Sequence, residues 1–228
     1  MIFSVLLQIA TTVADSASET EKATGVSLFD LLMKGSYIMI PIFLLSALAL
    51  YIFIERFLYI SNAVKYDKMA LTHLHDAVSE ANIERAKSLC NQNKNAVFRI
   101  LEKGIARLGH PMKEIESGLE QRASIEIAEM ENKMPYLSVI AAVAPMLGFL
   151  GTVTGMITAF QNIALHNNIS IGIIAEGIYV KMVSSAAGLV VGILAYLLHA
   201  ILNAKVDGAI KKIEEKCSEF SDLLYNPS

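Results

Sequence analysis

"MPYLSVIAAVAPMLGFLGTVTGMITAFQNIAL", residues 134–165, carries no charged side chain. A bilayer core about 30 Å thick needs roughly twenty helical residues to cross it, and this run is longer than that. Its centre, "PMLGFLGTVTGM" (145–156), nevertheless holds a proline, three glycines and two threonines. A segment that only had to lie in lipid would be expected to read as leucine and isoleucine. The small and hydroxyl-bearing residues therefore need a reason of their own.

Two further uncharged runs fix the class. Tyr37–Ile54 ends at Glu55 and Arg56, and Met182–Leu202 follows Glu176 and Lys181. Together the runs predict an all-α integral membrane protein with three transmembrane helices, at 36–58, 136–163 and 173–202. The last two are longer than a span and are expected to tilt or project from the membrane. Pro41 sits near the outer end of the first, where neighbouring helices tolerate it.

Charge sets the expected orientation. Eleven of the 19 Lys and Arg lie within residues 61–135, and Lys205, Lys211, Lys212 and Lys216 follow the third run. The segment between the second and third runs has none. The positive-inside rule then places 61–135 and 203–228 in the cytoplasm. A linker at 16–35 and a short loop at 164–172 fall on the periplasmic side. Residues 1–15, "MIFSVLLQIATTVAD", carry polar side chains on one helical stripe. They read as an amphipathic helix lying on the outer membrane face, with an uncleaved signal-like segment as the alternative.

The cytoplasmic portion is helical by pattern. "YDKMALTHLHDAVSEANIERAKSLCNQ" and "NAVFRILEKGIARLG" repeat apolar residues at helical spacing, and Gly109-His110-Pro111 ends the second. From Met112 a charged amphipathic helix runs toward the membrane and is expected to join the second span, with any kink at Pro135. The tail continues the third span, with Ile210, Ile213, Cys217 and Phe220 as an apolar edge. Such long cytoplasmic helical extensions suit a bundle or packing against copies of the chain. His73 and His75 point to different helix faces and read as surface residues.

Composition excludes several functions. The chain is 54% apolar and 18% charged, with a net charge of −3, so a nucleic-acid partner has no electrostatic support. Cys90 and Cys217 fit neither a zinc site nor a disulfide framework. No phosphate loop, nucleophile set or metal-ligand cluster occurs, so neither an enzyme nor a cofactor is expected.

Read by face, Ala141, Pro145, Gly148, Thr152, Gly155 and Ala159 form one stripe of small residues. Gly151, Thr154, Thr158 and Gln161 lie off it, with Gly151 and Thr154 placed to serve contacts between subunits. The third run has a small face of its own, through Ser184, Ser185, Gly188 and Gly192. Close helix packing explains the glycines. A lined pathway explains the hydroxyls, unless each bonds a carbonyl one turn back. Spacing alone favours packing, with a lined pathway as the alternative.

"AAVAPMLGFLGTVTGM" resembles the signature of the ExbB/TolQ/MotA family of ion-channel subunits, which has a P-L-L-G-L-L-G-T-V-x-G-M core. "PIFLLSALALYIFIER" is similar to the family's first helix. "GIYVKMVSSAAGLVVGI" resembles its third, G-I-x-E-A-L-x-T-T-A-x-G-L. Three spans with an outward N-terminus fit the ExbB and TolQ branch, since the MotA branch has four. The resemblance covers about residues 30–205 of the chain.

The resemblance implies a homo-oligomeric, pentameric ring around the membrane helices of an ExbD-like single-span partner dimer. A partner aspartate would take up and release protons, and the motion would energise a TonB-like protein. The pore-lining small face would then be Ala141, Pro145, Gly148, Gly155 and Ala159, with Gly188 and Gly192. Thr152 matches the family threonine that faces the aspartate. Ser185, beside Ser184, falls on the third-helix threonine. The third-helix glutamate falls at Val180, a departure from the pattern. Glu176, one turn earlier, is the candidate replacement, with Lys181 snorkelling or pairing with a carboxylate. The alternative is that both only mark the outer end of the span.

Overall fold

The computed structural model describes residues 38–65, 68–93, 95–166 and 171–225; the side chains of 68, 166, 171–177 and 180 lie outside that description. The amphipathic helix expected at 1–15 also falls outside it. Seven helices follow in order: α1 Met39–Ala63, α2 Lys68–Ser79, α3 Ile83–Gln92, α4 Ala96–Ile105, α5 Met112–Glu131, α6 Met134–His166 and α7 Ile171–Tyr225. No strand occurs among the described residues.

Stretches within Met39–Ala63, Met112–Leu165 and Lys181–Tyr225 are long and apolar enough to cross a membrane. Only 22% to 28% of their most apolar portions is buried within the chain, so most of that surface needs lipid or another protein against it. The protein is an all-α integral membrane protein with three candidate spans.

The second span is not one helix with the charged segment that precedes it, α5. The chain breaks at Asn132-Lys133, where Lys133 takes φ of +68°, and α6 starts immediately afterwards. Pro135 lies in the first turn of α6, where its missing N–H costs nothing. Its ring would clash with the carbonyl four residues earlier, so the interruption falls upstream of the proline rather than at it. Lys133 Nζ reaches Glu55 Oε1 at 2.7 Å, which anchors the break to the end of α1. The α4 helix also stops early, at Ile105. Arg107 and Leu108 donate to carbonyls three residues back, and Gly109 at φ +95° closes the turn.

The described residues divide into two compact units, one drawn from 38–45 and 142–192, the other from 46–141 and 193–225. The second unit has its core at α4. Ala96, Val97, Phe98, Ile100, Leu101, Gly104 and Ile105 are all buried. Gly104 lets α5 and α7 approach: a Cβ there would stand 2.8 Å from Leu119 Cδ2 and 3.0 Å from Phe220 Cε1. Ile213 and Phe220, from the expected apolar edge of α7, are buried here. Glu126 is buried among these helices, held by Arg99 of α4 and by Arg122 one turn earlier on α5, with Arg99 Nε at 2.8 Å and Arg122 Nη2 at 2.6 Å. Cys90 is buried and its thiol pushed up to about 12 by loss of hydration. His75 is not a surface residue either. It is half-buried, its Nε2 enclosed without a hydrogen-bond partner, and burial lowers its pKa.

Candidate functional site

The site is built from α6 and α7 of the first unit. Backbone meets backbone there. A Cβ on Gly148 would lie 3.1 Å from the carbonyl oxygen and Cα of Ser185 and from the carbonyl oxygen of Ser184. One on Gly188 would lie 2.6 Å from the Ala144 carbonyl oxygen. In a membrane the hydrophobic effect does not press helices together, so van der Waals contact at such closeness is the main attraction. The glycines serve it by having no side chain to keep the helices apart.

The seam differs from the stripe expected from spacing. Its α6 members are Ala144, Gly148, Gly151 and Gly155, all buried. Gly151 belongs to it, its Cβ position 3.4 Å from Ser184 Cβ and 3.7 Å from Ile38 Cγ2, and so packs within the chain. On α7 the seam holds Ser184 and Gly188, both buried, and Gly192, one turn further on, is buried as well. Gly148, Gly155 and Gly188 therefore pack between helices of this chain, as does the fully enclosed Ser184. Ala141, Pro145, Thr152 and Ala159 are half-buried along its edge. Spacing identified small residues but could not say which side of the helix met the partner.

The hydroxyls fall on two flanks. At about 100° per residue, Thr152 lies beside Gly148, the seam glycine that touches Ser185. Thr154 and Thr158 lie on the side of Gly151, which touches Ile38 at the start of α1. Thr152 and half-buried Ser185 thus share the flank turned away from α1. Each threonine donates its proton to its own helix: Thr152 Oγ1 to the Phe149 carbonyl at 2.7 Å, Thr154 Oγ1 to Leu150 at 2.9 Å, Thr158 Oγ1 to Thr154 at 2.9 Å. Each hydroxyl is thus satisfied within its own helix, the condition under which packing alone accounts for it; what it still presents outward is lone pairs, hence an acceptor.

Lys181 crosses the seam at Gly155. Its aliphatic stem lies on Gly155, where a Cβ would stand 2.0 Å from Lys181 Cγ and 2.4 Å from Cδ. Sequence reasoning placed a charge here and missed that Gly155 makes the groove for its stem. The backbones of Glu176 and Val180 are within α7, with their side chains outside the description. No group of three or more His, Cys, Asp or Glu suited to a metal ion occurs among the described residues.

Residues 92–215, which contain the whole seam, match the model of the MotA/TolQ/ExbB proton channel family. A biopolymer transport protein ExbB homolog of Methanothermobacter thermautotrophicus is 30% identical over 178 residues, 75% of this chain and 62% of the relative's length. An ExbB-like 1 biopolymer transport protein of Synechocystis is 33% identical over 180 residues, 77% of this chain and 70% of the relative. The Tol-Pal system protein TolQ of Haemophilus influenzae is 29% identical over 100 residues, 44% of each chain. The chain belongs to the MotA/TolQ/ExbB proton channel family.

Proposed function

We propose that this chain is the ion-channel and motor subunit of a bacterial inner-membrane complex. With an ExbD-like single-span partner dimer it uses the proton gradient to energise TonB-dependent import across the outer membrane. It does so as a homo-oligomeric, pentameric ring, with its N-terminus periplasmic and its C-terminus cytoplasmic. Three ExbB-named relatives match over 75% to 77% of the chain and two TolQ relatives over 44% and 50%, while other ExbB-named relatives match over 31% to 39%; the broader matches support the ExbB reading, with TolQ-like envelope maintenance as the alternative.

The observation that carries it is the flank formed by Thr152 and Ser185. A carboxylate at mid-membrane costs about 2.5–3.5 kcal/mol unless solvated or paired. A protonated carboxyl needs only an acceptor for its O–H, and Thr152 as it stands is one. The wall would then favour the neutral form of the partner's acid during passage. The charged form waits where water or a cation reaches it. Each charge moving down 100 mV releases about 2.3 kcal/mol, and several would drive a step of the partner helix. Ser185 is a second wall hydroxyl, while Ser184 holds the seam behind it. Glu176 and Lys181 would form the outer approach.

The test compares Thr152→Val with Thr152→Ser in proteoliposomes that hold the chain and its single-span partner. Proton flux should fall about tenfold for valine, which keeps the shape and loses the acceptor, and should persist for serine. Unchanged flux in Thr152→Val, with assembly intact by native mass spectrometry, would remove Thr152 from the pathway. Loss of siderophore or haem uptake in cells, rather than a leaky and chaining envelope, separates the import role from TolQ-like maintenance.

A further inference from the structure

Helix α5 carries opposite chemistry on two sides. On one, Glu116 and Glu120 run beside Glu214 and Asp222 of α7, above a floor that includes Leu119 and Ile213. They border a groove of about 590 Å³ lined by no lysine or arginine. On the other, Arg122 and Ile125 stand beside Arg99 and Lys103 of α4, around a cleft of about 500 Å³ whose acidic member is Glu102. At about 100° per residue, the groove residues of α5 centre half a turn away from Gln121, Arg122 and Ile125. The acidic groove and the basic face therefore look in opposite directions from one helix.

We infer that the acidic groove between α5 and α7 binds the α4–α5 basic face of a second copy of this chain, head to tail. The inference rests on the homo-oligomeric reading proposed above and names the surface that would hold it. Three features favour a second copy as the occupant. The complementary charge sits on the same helix, so the register repeats from copy to copy. Ile125, 45% exposed at the centre of the basic face, supplies an apolar tip for the groove floor. Arg99 and Arg122 hold Glu126 yet their side chains remain 34% and 32% exposed, so their charge reaches the surface of the basic face. Two acidic grooves facing each other would repel, so a two-fold pairing is disfavoured. A heterologous contact of this kind closes into a ring when the rotation between copies allows it.

The test uses the full chain in mild detergent with native mass spectrometry. Glu120→Lys and Lys103→Glu, both at exposed positions, should each lower the assembled fraction at least tenfold. The double swap should restore it. In a Cys90→Ala, Cys217→Ser background, Glu120→Cys chains mixed with Lys103→Cys chains should cross-link to each other and not to themselves. Assembly untouched by the single swaps, cross-links only between like chains, or a basic segment of another protein found in the groove would each overturn the inference. A wild-type chain that stays monomeric with its partner present would instead sink the oligomeric reading itself, before any swap is made.

Discussion

Gly188 meets Gly148 with no room for a side chain: a Cβ on Gly188 would stand 3.0 Å from the Cα of Gly148 and 2.6 Å from the carbonyl oxygen of Ala144. Those neighbours are backbone, so they cannot swing aside. Gly188→Ala is expected to push α7 off α6 and cost about 1–3 kcal/mol, the usual range for overpacking. Thermal unfolding in detergent should show a lower midpoint. Gly208, with nothing within 4 Å of its Cβ position, is the control: Gly208→Ala should leave the midpoint unchanged or raise it slightly, as alanine is the better helix former.

Much of this seam was legible in the sequence, and its limits are physical. Uncharged length gave three spans, and helical spacing gave a small-residue face on each of α6 and α7. Spacing cannot orient that face to better than the width of a stripe. Gly151 was therefore placed outside the seam and Pro145 inside it, whereas contact with Ser184 buries the glycine and leaves the proline at the edge. The break at Lys133 was misplaced for a similar reason, since Pro135 signals that an interruption is near without fixing the residue that absorbs it. Arg122 and Glu126 are visible as an i,i+4 pair, but Arg99 comes from another helix, and only tertiary packing buries the carboxylate.

Lys181 and Gly155 offer a contrast to the glycine pair. Here the atom nearest a new Cβ belongs to a flexible side chain, at 2.0 Å. Gly155→Ala should displace the lysine stem and lower stability, while Lys181→Ala should cost little by itself. The double variant is expected to regain most of the Gly155→Ala loss, because the colliding atoms are gone. A double-mutant cycle on unfolding midpoints measures this coupling. Additive losses would mean that the alanine collides with something other than Lys181.

Glu126 is buried to 1% side-chain exposure between Arg99 and Arg122, each about one-third exposed. Loss of the two sides should therefore be unequal. Glu126→Ala leaves two arginines that can swing toward water. Arg99→Ala with Arg122→Ala strands a carboxylate away from it, a defect worth about 3–5 kcal/mol. Urea unfolding should rank the double arginine variant below Glu126→Ala. Equal losses would mean that water reaches Glu126 once the arginines are removed.

His75 gives the second unit a sign for its response to acid. Burial lowers its pKa in the folded chain below the ordinary value of 6.5, and the Lys216 ammonium adds to the effect, while Glu219 and Asp76 oppose it. The folded chain therefore holds fewer protons at this site than the unfolded chain. The stability from neutral His75 is fully present above the unfolded-state pKa and is lost as pH falls below it, toward the folded-state pKa. Unfolding midpoints should decline between pH 7.5 and pH 5.5 in the wild type. His75→Gln, which cannot charge, should flatten that part of the profile. An equal decline in both proteins would assign the acid sensitivity to other groups.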